Sequence, residues 1–145
     1  MGAKSVMSSL SFRYEPDPDD EYTGRLWLTV STERFSGRGF FWAHQNDLAG
    51  FAKELASYPI SASKPPRYIA GYNEGGGDDV VLLVSVKPKD PRGSLLVEAV
   101  VSDLYERDQR LTVSFTTTYS DVATFLKQLS TLADGGADEA VLTGQ

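Results

Sequence analysis

Few residues of this chain are of a type that does chemistry, and each sits where its options are narrow. His44 is the only histidine, and there is no cysteine. One imidazole cannot build a multi-histidine zinc site, and thiolate ligands and disulfides are excluded outright. As a general base His44 would need an orienting partner beside it, so packing or helix capping is its expected role. The second group is the acidic run Asp17, Asp19, Asp20 and Glu21. Four close carboxylates could hold Ca²⁺, but the EF-hand spacing and its glycine are missing. Blocks of like charge repel and stay hydrated, so a solvated acidic loop is expected. The third stretch runs from Gly71 to Asp79 and contains three consecutive glycines. It superficially resembles a phosphate loop, but it has no Gly-Lys-Ser/Thr and leads into a strand rather than a helix N-terminus. The chain is therefore expected to be non-catalytic, with no cofactor and no metal.

What remains is aromatic, and its placement depends on the strands. Ser9 to Tyr14 alternates, with Leu10, Phe12 and Tyr14 on one side, and period two argues a strand. It is expected to end at the proline- and carboxylate-rich Glu15–Glu21. Arg25 to Thr32 alternates again, and Arg38 to His44 returns as its antiparallel partner. Further strands are expected at Arg67–Tyr72, Val80–Val86, Leu95–Ser102 and Arg110–Thr117. Two helices carry single apolar stripes: Leu48, Phe51, Ala52 and Leu55, then Val122, Phe125, Leu126, Leu129 and Leu132. Asn46 or Asp47 should cap the first and Ser120 or Asp121 the second, with Pro59 and Gly135-Gly136 ending them.

The two helical segments match one another. Asp47-Leu48-Ala49-Gly50-Phe51 aligns with Asp121-Val122-Ala123-Thr124-Phe125 at a constant spacing of 74 residues (121 minus 47). The same spacing places Phe41 over Phe115 and Ala43 over Thr117, facing the helices. Phe40, Trp42 and His44 then match Ser114, Thr116 and Thr118 on the other face. Trp27 should join Phe40 and Trp42 there. Such an aromatic patch is either a second small core, covered by the first strand, the tail or a dimer partner, or a protein-binding surface. The candidate partner-binding residues are thus Trp27, Phe40, Trp42 and His44, with Asp17, Asp19, Asp20 and Glu21 as an acidic flank.

These elements describe an α+β fold: a mostly antiparallel sheet of about seven strands with two helices packed on one face, carrying an internal strand-turn-helix pseudo-repeat. A length of 145 residues fits one domain spanning 1–145, with a flexible N-terminus over 1–8 and a loose C-terminal tail over 137–145. The net charge of −6 repels phosphate backbones and suits a basic protein partner, so no nucleic acid is expected. No apolar run approaches the roughly 18 residues of a membrane span. With no signal peptide either, a cytoplasmic location is expected.

The sequence resembles the WapI-type immunity proteins of bacterial polymorphic-toxin systems and their uncharacterised relatives. The resemblance rests on Leu26-Trp27-Leu28-Thr29-Val30, on Phe35-Ser36-Gly37 and the strand after it, and on Asp47-Leu48 through Phe51 and Leu55. It continues through the strand at Val80, Val97 to Asp103, and Leu111 to Leu129. It implies a cytoplasmic, non-catalytic protein that binds and neutralises a cognate toxin domain, often a nuclease. It transfers no catalytic residue. Two other readings stay open: a small-molecule or enzymatic domain using His44 and nearby carboxylates, and a homodimer formed through the aromatic face.

Overall fold

Period-two alternation carries most of the chain into strands. The computed structural model describes residues 7–72 and 79–145. Among them the order is β1 (Ser8–Asp17), β2 (Asp20–Ser31), β3 (Ser36–His44), α1 (Gln45–Leu55), β4 (Arg67–Tyr72), β5 (Asp79–Pro88), β6 (Ser94–Ser102), β7 (Arg110–Thr118), α2 (Tyr119–Ala133) and β8 (Glu139–Gly144). The fold is α+β, with every strand pair antiparallel.

The strands divide into two four-stranded sheets rather than one of seven, in the orders β3-β2-β1-β8 and β4-β5-β6-β7. Alternation fixes which side of a strand is apolar but not which distant strand lies beside it, so this division was not readable from local pattern. Inner faces of both sheets and the stripes of both helices share one core. It takes in Leu10, Phe12, Leu26, Leu28 and Val30 from the first sheet, and Val84, Val86, Val97 and Phe115 from the second. Phe12 is its hub. The ring is fully buried and lies 6.0 Å from Phe51 of α1, 5.9 Å from Phe125 of α2 and 5.5 Å from Tyr68 of β4. Both helices therefore lie on the same side of the first sheet, as the sequence requires.

Three expectations are corrected. Residues 137–145 are not a loose tail: β8 pairs with β1, setting Leu142 against Leu10 and Ala140 against Phe12. Ala140 and Leu142 are fully buried there, a short period-two signal at the chain end. Of the N-terminal segment, residues 1–6 lie outside the described residues, while Ser8 is already buried at the start of β1. The acidic stretch is a hairpin rather than an open loop. β1 runs on through Pro16 to Asp17, and β2 begins at Asp20. Pairing with β8 stops at Arg13, so Pro16 occupies a stretch of β1 with a free edge, where the missing N–H costs nothing. Gly24 stands opposite Pro16, and a Cβ there would collide with the Glu15 carbonyl oxygen.

The match at 74 residues is structural. β3 and β7 have the same length, and each runs directly into its helix. His44 caps α1: Asp47 Oδ2 accepts from its backbone N–H at 3.1 Å, and its Nδ1 accepts from the Asn46 N–H at 3.4 Å. Thr118 caps α2, its hydroxyl accepting from the Asp121 N–H at 3.1 Å. The caps thus fall two or three residues earlier than the Asn46/Asp47 and Ser120/Asp121 expected, and the carboxylates sit inside the first turn. Each sheet is a four-stranded meander whose last strand feeds a helix, β4-β5-β6-β7-α2 in one case and β8-β1-β2-β3-α1 in the other. The first unit takes its leading strand from the far end of the chain.

Candidate binding face

The helix-free side of the first sheet gathers most of the residues singled out by the sequence. Along β2 the outward positions are Glu21, Thr23, Arg25, Trp27 and Thr29; along β3 they are Arg38, Phe40, Trp42 and His44. Cross-strand register arranges them in rows. One row is Glu139, Arg13, Trp27 and Phe40; the next is Glu15, Arg25 and Trp42. The Trp27 and Phe40 rings lie 4.7 Å apart, and Trp42 stands edge-on to Phe40 at 6.0 Å. Trp42 is 48% exposed, and Phe40 and Trp27 are half-buried. The assignment of Phe40, Trp42 and Trp27 to the side opposite Phe115 therefore holds.

Two arginines cover the aromatics. Arg25 lies 5.3 Å from the centre of Phe40 and 5.2 Å from that of Trp42, and Arg38 lies 4.9 Å from that of Trp27. A guanidinium over an aromatic face is attracted by the ring quadrupole. The sequence reading missed both arginines, although they share the outward parity of the aromatics on β2 and β3. The inner side of β3 carries Gly39, where a Cβ would stand 2.9 Å from the Ser102 carbonyl oxygen of β6. That close crossing of the sheets fixes which side of β3 faces out.

The acidic hairpin closes one end of the face. Glu15, Pro16, Asp17, Pro18, Arg25 and Trp42 line a cleft of about 290 Å³. Asp17 turns inward along its own chain to accept from the Asp19 N–H at 2.9 Å. Asp20 accepts from the Tyr22 N–H at 3.0 Å and the Thr23 hydroxyl at 2.9 Å. Those bonds, the first foremost, hold its carboxyl below the ordinary value, with a smaller pull from His44. The His44 ring stacks on Tyr22 at 6.0 Å, nearly parallel. With Nδ1 engaged in the cap and its face against Tyr22, His44 has a structural role at the rim of the patch. Beneath the hairpin the buried Tyr14 hydroxyl has no hydrogen-bond partner among the described residues. Burial, then Asp20, Asp17 and Asp47, push its ionisation upward, so it stays a neutral phenol. Of the glycine-rich stretch from Gly71 to Asp79, residues 73–78 lie outside the described residues. Asp79 is held by Arg107 through two bonds of 2.6 and 2.8 Å.

The second sheet is an internal control for this face. At the positions matching Phe40, Trp42 and His44 it carries Ser114, Thr116 and Thr118. Where Trp27 stands across from Phe40, Glu98 stands across from Ser114. The same meander-and-helix unit therefore folds with polar residues at these sites, and the aromatics of the first sheet are not required by the architecture.

Among the described residues no cluster of three or more histidine, aspartate or glutamate side chains is placed to hold a metal. No helix there is long and apolar enough to cross a membrane. No protein-family model matches the chain, and no curated protein does. Two solved plant structures are similar in outline. WHY3 from Arabidopsis thaliana matches with a TM-score of 0.48 and 10% identity, over 90% of this chain and 83% of that one. The plant transcriptional regulator PBF-2 matches with a TM-score of 0.48 and 10% identity, over 90% of this chain and 76% of that one. Likeness at this level carries no statement about function.

Proposed function

We propose that this chain is a non-catalytic binding protein that engages a protein partner through the outer face of its first sheet, and that the partner is a cognate toxin domain which it neutralises in the cytoplasm. The observation that carries the reading is the contrast between twin positions: Trp27, Phe40 and Trp42 on one sheet, Glu98, Ser114 and Thr116 on the other. Tryptophan and arginine dominate binding hot spots in protein interfaces, and a contiguous exposed aromatic patch marks an interaction site. The carboxylates of the Asp17–Glu21 hairpin supply a charged rim that would steer a basic partner and speed encounter. The resemblance to WapI-type immunity proteins supports the choice of a toxin as that partner.

A second reading has one specific observation in its favour. Aromatic rings interleaved with arginine on an open sheet also suit single-stranded nucleic acid. The acidic hairpin at the end of the ladder and the net charge of −6 oppose it.

The test starts from the neighbouring gene: a toxin domain encoded there is co-expressed with this chain, and the absence of one removes the toxin from the reading. The wild-type chain should rescue growth, and His44→Ala should rescue as well. Trp27→Glu combined with Trp42→Thr should fail to rescue while remaining folded. Rescue by that double variant removes the face from the reading, and turnover that disappears with His44→Ala replaces it with an enzyme. With only two tryptophans in the chain, both on this face, their emission also reports on an oligo-dT probe. A salt-sensitive quench by that probe would transfer the face to nucleic acid.

A further inference from the structure

Each sheet has one edge strand beside a helix, β8 beside α2 and β4 beside α1, and the two edges are finished differently. Register fixes which backbone groups face outward. The Tyr14 N–H donates to the Asp138 carbonyl, so Ala140 and Leu142 bond to β1 while Val141 and Thr143 point away from it. Both outward residues are satisfied within the chain. Gln128 Oε1 of α2 accepts from the Val141 N–H at 2.7 Å, and the Thr117 hydroxyl donates to the Thr143 carbonyl at 2.8 Å. On β4 the Val86 N–H donates to the Pro66 carbonyl, so Tyr68 and Ala70 bond to β5 while Arg67 and Ile69 point outward. Cross-strand pairing carries the match between the sheets to these edges: Ile69 answers to Val141, and Glu54 answers to Gln128 at the 74-residue spacing. Among the described residues no bond joins Glu54 to the Ile69 N–H, which has no other partner there, and Ile69 is 42% exposed.

This open edge starts at a cleft. Between the end of α1 and the start of β4 lies a space of about 330 Å³. Ile60 and Pro66 are its buried members, and Lys53, Glu54, Ser57 and Lys64 are its exposed ones.

We propose that the edge of β4 takes the C-terminal segment of another protein as an added antiparallel strand, with the terminal carboxylate held by Lys53 and Lys64. Every strand pair in this fold is antiparallel. A strand laid antiparallel on β4 runs from Ile69 toward Pro66, so its C-terminal end arrives at the cleft. The Ile69 N–H and the Arg67 carbonyl supply main-chain bonds, which give strand addition its affinity, and the cleft supplies selectivity. An apolar last side chain covers Ile60 and Pro66, and the carboxylate forms charge-assisted bonds to the two ammonium groups. Glu54 cancels one of these charges, so a single lysine would leave no positive excess and both are required. The site lies on the second sheet and shares no residue with the aromatic face of the first.

The test begins without a variant. By amide hydrogen exchange, Ile69 should exchange faster than Val141 in the free chain, because only Val141 is bonded to a helix side chain. Selection from a displayed library of short random peptides with free C-termini should enrich sequences with an apolar last residue. Labelled at the N-terminus with fluorescein, the enriched peptides should bind by fluorescence anisotropy and slow the exchange of Ile69. Amidating their C-termini should weaken binding at least about tenfold, as should Lys53→Ala or Lys64→Ala. Ile69→Pro deletes only an outward N–H of an edge strand and should weaken binding as well. Circular dichroism with a thermal melt establishes that each variant is folded. An Ile69 amide as slow as that of Val141 overturns the proposal, as does a library with no enriched sequence. Peptides that bind equally well when amidated, or equally well to the lysine variants, overturn it too. Where Ile69→Pro does not fold, exchange at Ile69 in the wild type decides the strand addition, and an amide that the peptide leaves unslowed refutes it. Trp27→Glu with Trp42→Thr should bind these peptides as the wild type does; loss of binding there would move them to the first sheet and overturn the site on β4.

Discussion

Phe12→Ala should be the most damaging single truncation in the chain, because one ring joins four elements. Its side chain is fully buried in β1 and touches Phe51, Tyr68 and Phe125, at ring separations of 6.0, 5.5 and 5.9 Å. Truncating a buried phenylalanine costs about 3–5 kcal/mol, and each aromatic pair adds roughly 0.5–1.5 kcal/mol beyond buried area. Three such pairs place the expected loss at the top of the range, about 4–5 kcal/mol. A domain has in all about 5–15 kcal/mol of stability, so the variant would sit near the edge of folding. Urea denaturation followed by tryptophan emission measures the loss, and an unchanged m-value keeps it assignable to the folded state. The matched control is Phe40→Ala on the outer face, which should cost clearly less. In a double-mutant cycle, Phe12 and Phe125 should couple by about 0.5–3 kcal/mol. A loss below about 2 kcal/mol for Phe12→Ala, or one no larger than that of Phe40→Ala, would refute the account of a core centred on this ring.

Three further outcomes are expected. Writing the residues of the second sheet onto the first, as Trp27→Glu, Phe40→Ser and Trp42→Thr together, should cost less than about 2 kcal/mol in urea denaturation followed by circular dichroism while abolishing partner capture, since surface positions outside the core tolerate change. Asp103 accepts from the N–H groups of Glu106 at 2.7 Å and Tyr105 at 2.9 Å, bonds that lower its pKa from the ordinary 3.8. A lowered folded-state value means stabilisation that is present above the unfolded value and lost as pH falls through the folded one; thermal melts of wild type and Asp103→Asn should therefore differ at neutral pH and converge as pH drops below that ordinary value. A circular permutant that opens the chain between α2 and β8 and joins Gln145 to Met7 by a short linker should fold with an unchanged circular-dichroism spectrum, because Gly144 already pairs with Ser8; loss of folding would show that the β8–β1 pairing depends on the native chain order.

Much of this was legible in the sequence because period two and the helical stripe are local signals. Phe12, Leu26, Leu28, Val30, Phe51 and Phe125 all face inward as their spacing demands. The 74-residue match even carried the side of β3, since a one-residue slip would have turned Trp42 into the core. Illegible parts depended on distant partners or uncommon choices. Nothing local says that Glu139–Gly144 pairs with β1, or that β3 and β4 belong to different sheets. Pro16 argues against a strand unless one knows that β8 stops short of it. Histidine is an unusual N-cap, so the better-known capping residues Asn46 and Asp47 drew the boundary inward.

The two units also separate what folding requires from what it permits. Inside, they agree in kind: Ala43 and Thr117 are both buried, and Phe51 and Phe125 meet on Phe12. Outside, they diverge at every position of the ladder. Exposed aromatic residues on an edge strand such as β3 are an aggregation liability that sheets ordinarily manage with charge. The second unit avoids it with Ser114 and Thr116, while the first keeps the rings and lays Arg25 and Arg38 across them. Such an arrangement holds the rings partly screened yet free to be uncovered, because arginine over an exposed ring is worth only about 0.5–1 kcal/mol. A surface built merely to stay soluble would have taken the second unit's solution. Retaining the aromatics beneath a weakly held cover is the pattern expected of a site that must meet another macromolecule, which is why the proposed contact is assigned to the first sheet and not to the second.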